Sequence, residues 1–323
     1  MINIKKKKVA LIIGGSGQFG LSLGKYLLKK NFEVNITSRN KKKLKEKIKE
    51  KILVHNLNIY KLESVDKIIK KINPDYIFYF AGQSSPAKSF YKKKETYLSN
   101  AVGCKNFLSI LKKNKNYCKF INAASCEMYG NIKGKIKVNS PKKPVSPYGL
   151  SKVRSFNMTK KYREKFKLQS YNAIIFNSES FLRPKNYLIP KICIAALKAK
   201  KNNTKTKFGN LNISREWNWC NEQSKYLLEF VKKKPQDFIL SNGKSFTAIQ
   251  MIKYAFEYFK LDYTNFVLSD RFFFRKKDVK KKISNYKTCL RRNNIKRLDK
   301  IYGKFLIRKM IKYYINQKSL YKN

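Results

Sequence analysis

Residues 9–20 read VALIIGGSGQFG. The run Val9–Ile13 is short, apolar and rich in β-branched residues, which predicts a buried parallel strand. Glycines follow it at a spacing of three, and an amphipathic helical pattern begins inside the last repeat. Strand, glycine loop and helix in this order are typical of a unit that holds a dinucleotide pyrophosphate, because glycines allow close backbone approach and the helix amino terminus faces the phosphates. We therefore expect cofactor contacts from Gly14, Gly17, Gln18, Phe19 and Gly20.

Short apolar runs alternate with helical patterns from this unit onward to Phe176. Such alternation predicts an α/β fold of the Rossmann type, with a doubly wound parallel sheet covered on both faces. The rhythm becomes irregular after Phe176, which predicts a smaller C-terminal substrate-binding lobe. We expect a dinucleotide-binding domain at 1–176 with returning elements around 218–240, and a second lobe formed by 177–217 and 241–323.

The ends of the next predicted strands supply further cofactor candidates. Ser38 and Arg39 follow the second strand, where a site for NAD usually has an acidic residue, so a cation and a hydroxyl favour the 2′-phosphate of NADP over NAD. The alternative is that Arg39 is an ordinary surface residue of a lysine-rich loop. Small and polar residues also follow later strands. We assign Asn56, Ala81, Gly82 and Gln83 to the cofactor and Ser84 to the substrate.

A second group of residues, which are candidates for catalysis, lies between positions 125 and 152. Tyr148 and Lys152 are four apart, so they share one face of a helix, and a nearby ammonium favours the phenolate. Ser125 adds a hydroxyl at the end of a predicted strand, and Glu127 adds a carboxylate. Together with the nucleotide loop, these side chains suggest alcohol oxidation by a nicotinamide cofactor, followed by a further step that uses the carboxylate. The alternative for Tyr148 and Lys152 is an ordinary pair on an amphipathic helix.

The composition is strongly basic, with 75 Lys and Arg against 19 Asp and Glu and a net charge of +56. Taken alone, this charge would suggest a nucleic-acid or membrane partner. Because the lysines lie mostly on the polar sides of helical patterns, as at 41–48, we attribute the charge to composition and expect neither partner. The charge would still attract an anionic substrate.

The cysteines and the single histidine exclude two further classes of protein. None of the six cysteines forms a C-x-x-C pair, and the chain has one histidine, so we expect neither a zinc site nor a disulfide framework. Free thiols of this kind fit a reducing cytoplasm.

The apolar run 9–13 is too short for a signal peptide, and no segment is long and apolar enough to span a bilayer.

Seven segments in one order carry a resemblance to a known family. They are GGSGQFG (14–20), AGQSS (81–85), SCEMYG (125–130), SPYGLSK (146–152), FNSES (176–180), 210–217 and FRKKDV (274–279). The chain resembles the GDP-mannose 4,6-dehydratases, which are extended short-chain dehydrogenase/reductases and hydro-lyases. The resemblance implies a nucleotide-sugar substrate, GDP-mannose, and an NADP that is regenerated in each turnover and stays bound.

The resemblance also implies roles for individual residues. Tyr148, assisted by Lys152, removes the proton of the sugar 4-hydroxyl, and Ser125 hydrogen-bonds that oxygen. Glu127 removes the proton at carbon 5, and water leaves from carbon 6. Tyr148 and Lys152 also contact the cofactor. We expect substrate contacts from Asn177, Arg183, Asn186, Lys191, Arg215, Arg275 and Asp278, with Arg215 at the diphosphate.

The chain departs from the family pattern at several positions. Cys126 and Ser178 replace a serine and a histidine, Pro190 replaces an arginine, and Arg39 stands alone where the family has paired arginines. By resemblance the assembly is a homodimer or a homotetramer. Other nucleotide-sugar enzymes of the same fold, such as an epimerase, a reductase or a decarboxylase, remain alternatives, as does a non-catalytic nucleotide- or nucleic-acid-binding protein.

Overall fold

The computed structural model describes residues 6–45, 48, 50–274, 279–296 and 300–317, so Arg275 and Asp278 lie outside the described residues. The strands are β1 (Val9–Ile13), β2 (Glu33–Thr37), β3 (Leu53–His55), β4 (Tyr76–Tyr79), β5 (Lys119–Ser125), β6 (Ser170–Ile175), β7 (Ser178–Glu179), β8 (Thr206–Phe208), β9 (Ser214–Arg215), β10 (Asn218–Trp219), β11 (Asp237–Leu240), β12 (Phe246–Thr247) and β13 (Val267–Ser269).

The α-helices follow the same chain order. They are α1 (Gln18–Leu28), α2 (Lys41–Lys45), α3 (Leu62–Ile72), α4 (Pro86–Ser89), α5 (Lys93–Tyr97), α6 (Gly103–Lys113), α7 (Pro147–Phe166), α8 (Leu188–Asn202), α9 (Cys220–Val231), α10 (Ala248–Glu257), α11 (Tyr286–Arg292) and α12 (Gly303–Ile315). A π-helical turn, Leu98–Val102, joins α5 to α6, and a 3₁₀ turn, Cys126–Tyr129, follows β5.

The central element is a parallel sheet of seven strands within the described residues. Its order is β11-β6-β5-β4-β1-β2-β3, and every neighbouring pair is parallel. The order in which the chain adds strands reverses between β1 and β4, although the strands stay parallel. Ligands of such sheets bind in the crevice at that point. The predicted doubly wound parallel sheet is confirmed.

The sheet is buried because helices cover it. On one face Leu11 and Ile77 of the strands pack with Val65 of α3 and with Phe107 and Leu111 of α6. The apolar residues of α3 and α6 recur at helical spacing, so each helix presents one apolar stripe to the sheet. This packing fixes the carboxyl ends of β1, β4 and β5, where the candidate residues lie.

The chain divides into two compact units. The first contains 1–130, 138–175 and 224–240, and the second contains 131–137, 176–223 and 241–323. These bounds differ from the expected ones at 131–137, at Phe176 and at 218–223, all of which lie in the second unit. The strand that completes the large sheet, β11, is one of the late returning elements.

The second unit has its own core, formed by α8, α10 and α12 around Trp217 and Phe208. A buried carboxylate connects its loops. Glu216 accepts hydrogen bonds from the Ser284 amide at 2.7 Å, from the Ser284 hydroxyl at 2.8 Å and from the Ser241 hydroxyl. Burial raises the pKa of Glu216, and these donors oppose the increase.

Every cysteine of the chain is a buried thiol. Burial raises the pKa of Cys104 and of Cys118 to about 12 in each case. Within the described ranges, no helix combines the length and the apolar character that crossing a bilayer requires.

Candidate active site

The glycine loop after β1 forms a narrow cradle at the reversal point of the sheet. Gly14 has a φ of +79°, and a Cβ at this position would lie 2.7 Å from the backbone of Ala81, which follows β4. A side chain is therefore excluded both by conformation and by space. The Gly17 amide donates to the Gly14 carbonyl at 3.1 Å, and Gly17 is the N-cap of α1. Gly17 makes no side-chain capping bond, and the amino terminus of a helix is a favourable place for an anion.

The other cofactor candidates lie at the carboxyl ends of neighbouring strands. Arg39 and Asn56 are exposed just after β2 and β3. The Phe19 ring lies 4.9 Å from the ring of Phe80, centroid to centroid. The structure thus places these residues and the glycine loop along the same edge of one sheet.

The loop after β4, residues 81–85, is the strand-end loop. Gly82 and Ser84 are exposed, whereas Gln83 is half-buried. The Gln83 side-chain amide donates to the Ser85 carbonyl at 2.9 Å and to the Thr96 hydroxyl at 3.1 Å. Gln83 therefore uses its side chain within the protein, which the sequence pattern did not indicate.

Helix α7 begins directly before the tyrosine. Ser146 is its N-cap and accepts a hydrogen bond from the Gly149 amide at 3.1 Å, and Pro147 occupies the first helical position. Serine at the N-cap and proline after it are both favoured there, so the local sequence fixes the start of the helix. A Cβ on Gly149 would lie 2.6 Å from the Glu127 carbonyl. Glycine thus lets the first turn of α7 approach the turn that follows β5.

Lys152 lies one turn further along α7 and is buried. Its amine donates to the Ala123 carbonyl of β5 at 2.8 Å and lies 5.8 Å from the centroid of the Tyr148 ring. Burial lowers the pKa of Lys152 to about 8. Below that pH the amine carries a positive charge beside Tyr148. Such a charge favours the phenolate, which is the form in which a tyrosine can act as a base.

Ser125 and Glu127 complete the group at the end of β5. The Ser125 hydroxyl accepts a hydrogen bond from the Glu127 amide at 3.2 Å, so the two residues are held together by the 3₁₀ turn. Ser125 is buried and Glu127 is half-buried. The end of β5 and the start of α7 therefore hold four chemical groups: a hydroxyl, a carboxylate, a phenol and an ammonium. This set can remove a proton from an alcohol and a second proton from a neighbouring carbon.

The burial of the Lys152 ammonium predicts that this residue reduces stability. A pKa lowered from 10.5 to about 8 corresponds to a cost of about 3 kcal/mol at neutral pH. Lys152→Met removes that cost and leaves the Ala123 carbonyl without its donor, which costs about 1 kcal/mol. We expect the variant to be about 2 kcal/mol more stable than the native chain at pH 7, as measured by urea unfolding without cofactor.

The pH dependence of this difference supplies the control. Above pH 8 the native lysine loses its proton in the folded state but keeps it in the unfolded state until about pH 10.5, so the native chain gains stability over this range. The advantage of Lys152→Met should shrink accordingly. Lys119→Met is the matched comparison, because the half-buried Lys119 also donates to a carbonyl, that of Val231 at 2.6 Å, and should give a smaller gain. An advantage that stays constant from pH 7 to pH 10 would contradict the prediction.

The described substrate candidates all lie in the second unit except Ser84. The Arg215 guanidinium is buried and donates to the carbonyls of Ser214 at 2.9 Å and Lys280 at 3.2 Å. Arg183 lies 3.8 Å over the Tyr187 ring, and its Nε is 3.7 Å from a Glu179 carboxylate oxygen.

The remaining candidates of this unit have less extensive contacts. The Asn177 carbonyl accepts from the backbone and the side chain of Asn218, each at 2.9 Å. Asn186 is exposed before α8, and the Lys191 amine lies 4.9 Å from the Phe208 ring. The Ser178 hydroxyl donates to the side-chain oxygen of Gln223 at 2.6 Å.

Sequence reasoning missed one group of residues, Thr96, Ser99 and Asn100, which contact the strand-end loop. Their spacing, at i, i+3 and i+4, places them on one face of a helix, and all three are buried. A polar stripe on a helix that must cover a sheet is the signal that could have identified them.

The parallel sheet, the glycine loop at its reversal point and the Tyr-x-x-x-Lys pair on α7 define an extended short-chain dehydrogenase/reductase. Solved structures of this class share the fold. One is the UDP-glucose 4-epimerase of Thermotoga maritima with UDP-glucose, with a TM-score of 0.83 and 19% identity over 95% of this chain and 100% of that one. Another is the dTDP-glucose 4,6-dehydratase of Bacillus anthracis in complex with NAD, with a TM-score of 0.82 and 16% identity over 97% and 98%.

Sequence comparison narrows the class to a family. The family model described as GDP-mannose 4,6 dehydratase matches residues 11–301, so the chain belongs to the GDP-mannose 4,6-dehydratase family. GDP-mannose 4,6 dehydratase 1 of Arabidopsis thaliana is 30% identical over 294 residues, which are 85% of this chain and 81% of the relative. The human GDP-mannose 4,6 dehydratase is 28% identical over 269 residues, 78% and 72% of the two chains. The predicted family and its enzyme class, a hydro-lyase, are confirmed.

Proposed function

We propose that the chain converts GDP-mannose to GDP-4-keto-6-deoxymannose. The observation that carries the proposal is the grouping of Ser125, Glu127, Tyr148 and Lys152 around the end of β5 and the start of α7. Ser125, Tyr148 and Lys152 suit oxidation at one sugar carbon. Glu127 adds the base that elimination at the next carbon needs, whereas a simple epimerase or ketoreductase does not need it.

A nicotinamide dinucleotide fits the first unit. The cradle of Gly14, Gly17 and Gly20 has no room for a side chain at Gly14, and the amino terminus of α1 that follows it suits a pyrophosphate. The chemistry supplied by a bound nicotinamide ring is acceptance of a hydride from carbon 4 and its return at carbon 6. Arg39 supports NADP over NAD, because its exposed guanidinium at the end of β2 can bind a 2′-phosphate.

The side chains move the protons of the reaction. Tyr148 takes the proton of the 4-hydroxyl, and the Lys152 ammonium stabilises the phenolate that this requires. Ser125 donates a hydrogen bond to the oxygen as it becomes a carbonyl. The carbonyl acidifies the hydrogen at carbon 5, Glu127 removes it, and the same carboxyl group returns a proton to the hydroxyl that leaves carbon 6 as water. After its proton is replaced from solvent, the Glu127 carboxyl group returns one to carbon 5, which balances the hydride added at carbon 6.

The second unit supports an anionic nucleotide substrate. Arg215 is held with its guanidinium fixed by two carbonyls, and such a preorganised planar fork binds a diphosphate with little further ordering. Lys191 and Arg183 are further cations of this unit. We assign the sugar nucleotide to these residues.

Mass spectrometry of the purified protein tests the proposal. GDP-mannose and a catalytic amount of NADP should give a product lighter by one water, with no net reduction of the cofactor. Unchanged GDP-mannose would refute the assignment. The same assay with UDP- and dTDP-sugars would then distinguish a sister enzyme from a protein that only binds nucleotides.

Arg39 allows a separate test of the cofactor. Arg39→Ala removes a charge-assisted interaction with the 2′-phosphate, so the Kd of NADP should rise about 10- to 100-fold while that of NAD stays nearly constant. Calorimetric titration of both dinucleotides measures the two constants.

Lys42→Ala is the matched control, since Lys42 is an exposed cation three residues further along the chain. It should leave both constants nearly unchanged. If Arg39→Ala lost the same affinity for NADP as for NAD, Arg39 would not recognise the 2′-phosphate.

A further inference from the structure

The π-helical turn Leu98–Val102 adjoins the strand-end loop. Turns of this kind are rare and often lie at functional sites. We propose that Thr96, Ser99 and Asn100 are positioning residues that hold the strand-end loop in its ligand-binding shape. In this arrangement the three residues act through Gln83, and Gly82 and Ser84 present the surface that meets the dinucleotide or the sugar.

Ser99 and Asn100 hold both backbone groups of Gln83. The Gln83 amide donates to the Ser99 hydroxyl at 3.2 Å, and the Asn100 side-chain amide donates to the Gln83 carbonyl at 3.0 Å. The same Asn100 nitrogen donates to the Thr96 carbonyl at 3.0 Å, so the amide cannot rotate without losing two bonds. Both side chains are buried, which strengthens these interactions relative to water.

Thr96 holds the side chain of Gln83. The Thr96 hydroxyl donates to the Lys92 carbonyl at 2.6 Å and accepts from the Gln83 side-chain nitrogen at 3.1 Å. The Gln83 side-chain oxygen accepts from the Ser85 amide. The side chain is therefore folded into its own loop and fixes the turn that delivers Ser84.

A residue of β4 holds the π-helical turn in place. The Tyr79 hydroxyl donates to the Ser99 carbonyl at 2.6 Å, and burial raises the pKa of Tyr79, so this donor keeps its proton. A Cβ on Gly103 would contact the Tyr79 hydroxyl, so the small residue after the turn makes room for it. Strand, turn and loop form one connected arrangement.

Gly82 fits beneath Asn100. It has a φ of +142°, and a Cβ there would contact the Asn100 side-chain oxygen. That oxygen is buried and has no hydrogen-bond partner among the described residues. Asn100 therefore packs against the glycine backbone and leaves the opposite, exposed side of Gly82 for a ligand.

This inference rests on the proposed dinucleotide function, and the test is titration with NADPH followed by its fluorescence. Thr96→Val keeps the shape and removes the hydroxyl that binds Gln83, so the Kd should rise about 5-fold. Thr96→Ser restores the hydroxyl and should bring the Kd back to within about 2-fold of the native value. Because the two residues act as one unit, Gln83→Ala combined with Thr96→Val should bind no more weakly than Gln83→Ala alone.

Ser109→Ala is the control for a purely structural effect. Ser109 lies on α6, and its hydroxyl is 3.0 Å from that of Tyr162, away from the strand-end loop. The variant should lose thermal stability as Thr96→Val does, but keep the native Kd.

The outcomes separate the two proposals. If the native chain binds neither NADP nor NAD, the proposed function is wrong and this inference with it. If the native chain binds and Thr96→Val binds equally well, only the positioning role is wrong. Additive losses in the double variant would show that Thr96 does not act through Gln83, which would also overturn the inference.

Discussion

Replacing Tyr148 by phenylalanine is expected to lower kcat for the dehydration of GDP-mannose by about 10²- to 10⁴-fold. The ring stays, so we expect the start of α7 and its packing to be unchanged, but the phenol that we propose takes the proton of the 4-hydroxyl is lost. The Lys152 amine keeps its bond to the Ala123 carbonyl. Substrate affinity should therefore change far less than the rate. Quantitative mass spectrometry of the product at saturating substrate measures the effect.

Tyr162→Phe is the matched control, since Tyr162 lies on the same helix with its hydroxyl 3.0 Å from that of Ser109. It should keep nearly the native rate. If Tyr148→Phe retained more than about a tenth of the native kcat, Tyr148 would not be the base.

Replacing Glu127 by glutamine is expected to slow water elimination, with a loss of about 10²- to 10⁴-fold in product formation. An amide has the shape of the carboxyl group but cannot take the proton from carbon 5. In deuterated water the native protein should give a product with solvent deuterium. Substrate recovered from the variant should contain no deuterium at carbon 5, as measured by mass spectrometry and proton NMR.

Glu164→Gln controls for the loss of one negative charge. Glu164 is an exposed residue of α7, and its carboxylate is 3.7 Å from the Lys160 amine. Its replacement should affect neither product formation nor exchange. Rapid deuterium exchange at carbon 5 in Glu127→Gln would show that another base serves this carbon.

The sequence predicts the strands near the dinucleotide loop because local signals agree there. The predicted bounds Val9–Ile13 coincide with β1, and β2 ends directly before Ser38, as predicted for the second strand. β1 is a short apolar run closed by glycine, as is typical of a buried parallel strand, whereas β2 (EVNIT) alternates polar and apolar residues before the polar Ser38. The positions of Ser125 and Tyr148 follow for the same reason, since one ends a strand and the other follows a Ser-Pro helix start.

The π-helical turn was not predictable in this way. The pattern 96–111 predicts one continuous helix, whereas the structure has α5, the turn Leu98–Val102 and α6. The turn depends on the bonds that Tyr79 and Gln83 make to Ser99, and helical periodicity contains no information about such tertiary partners. The internal use of the Gln83 side chain was missed for the same reason.

The assignment of residues 131–137 to the second unit also depends on distant partners. The Ile136 amide donates to the Ile283 carbonyl at 2.7 Å, and the Asn285 amide donates to the Ile136 carbonyl at 2.8 Å. Nearly 150 residues separate the two segments in the chain. A local pattern cannot show pairing over such a distance.

The reactivity of the buried thiols can be used to follow local opening of the protein. Three lie in the first unit and three in the second, namely Cys104, Cys118 and Cys126, and Cys193, Cys220 and Cys289. A buried thiol reacts with an alkylating reagent only when its surroundings open. Pulsed alkylation followed by peptide mass mapping would therefore time the opening of each unit separately in the native sequence, and ligands could be ranked by the unit whose thiols they protect.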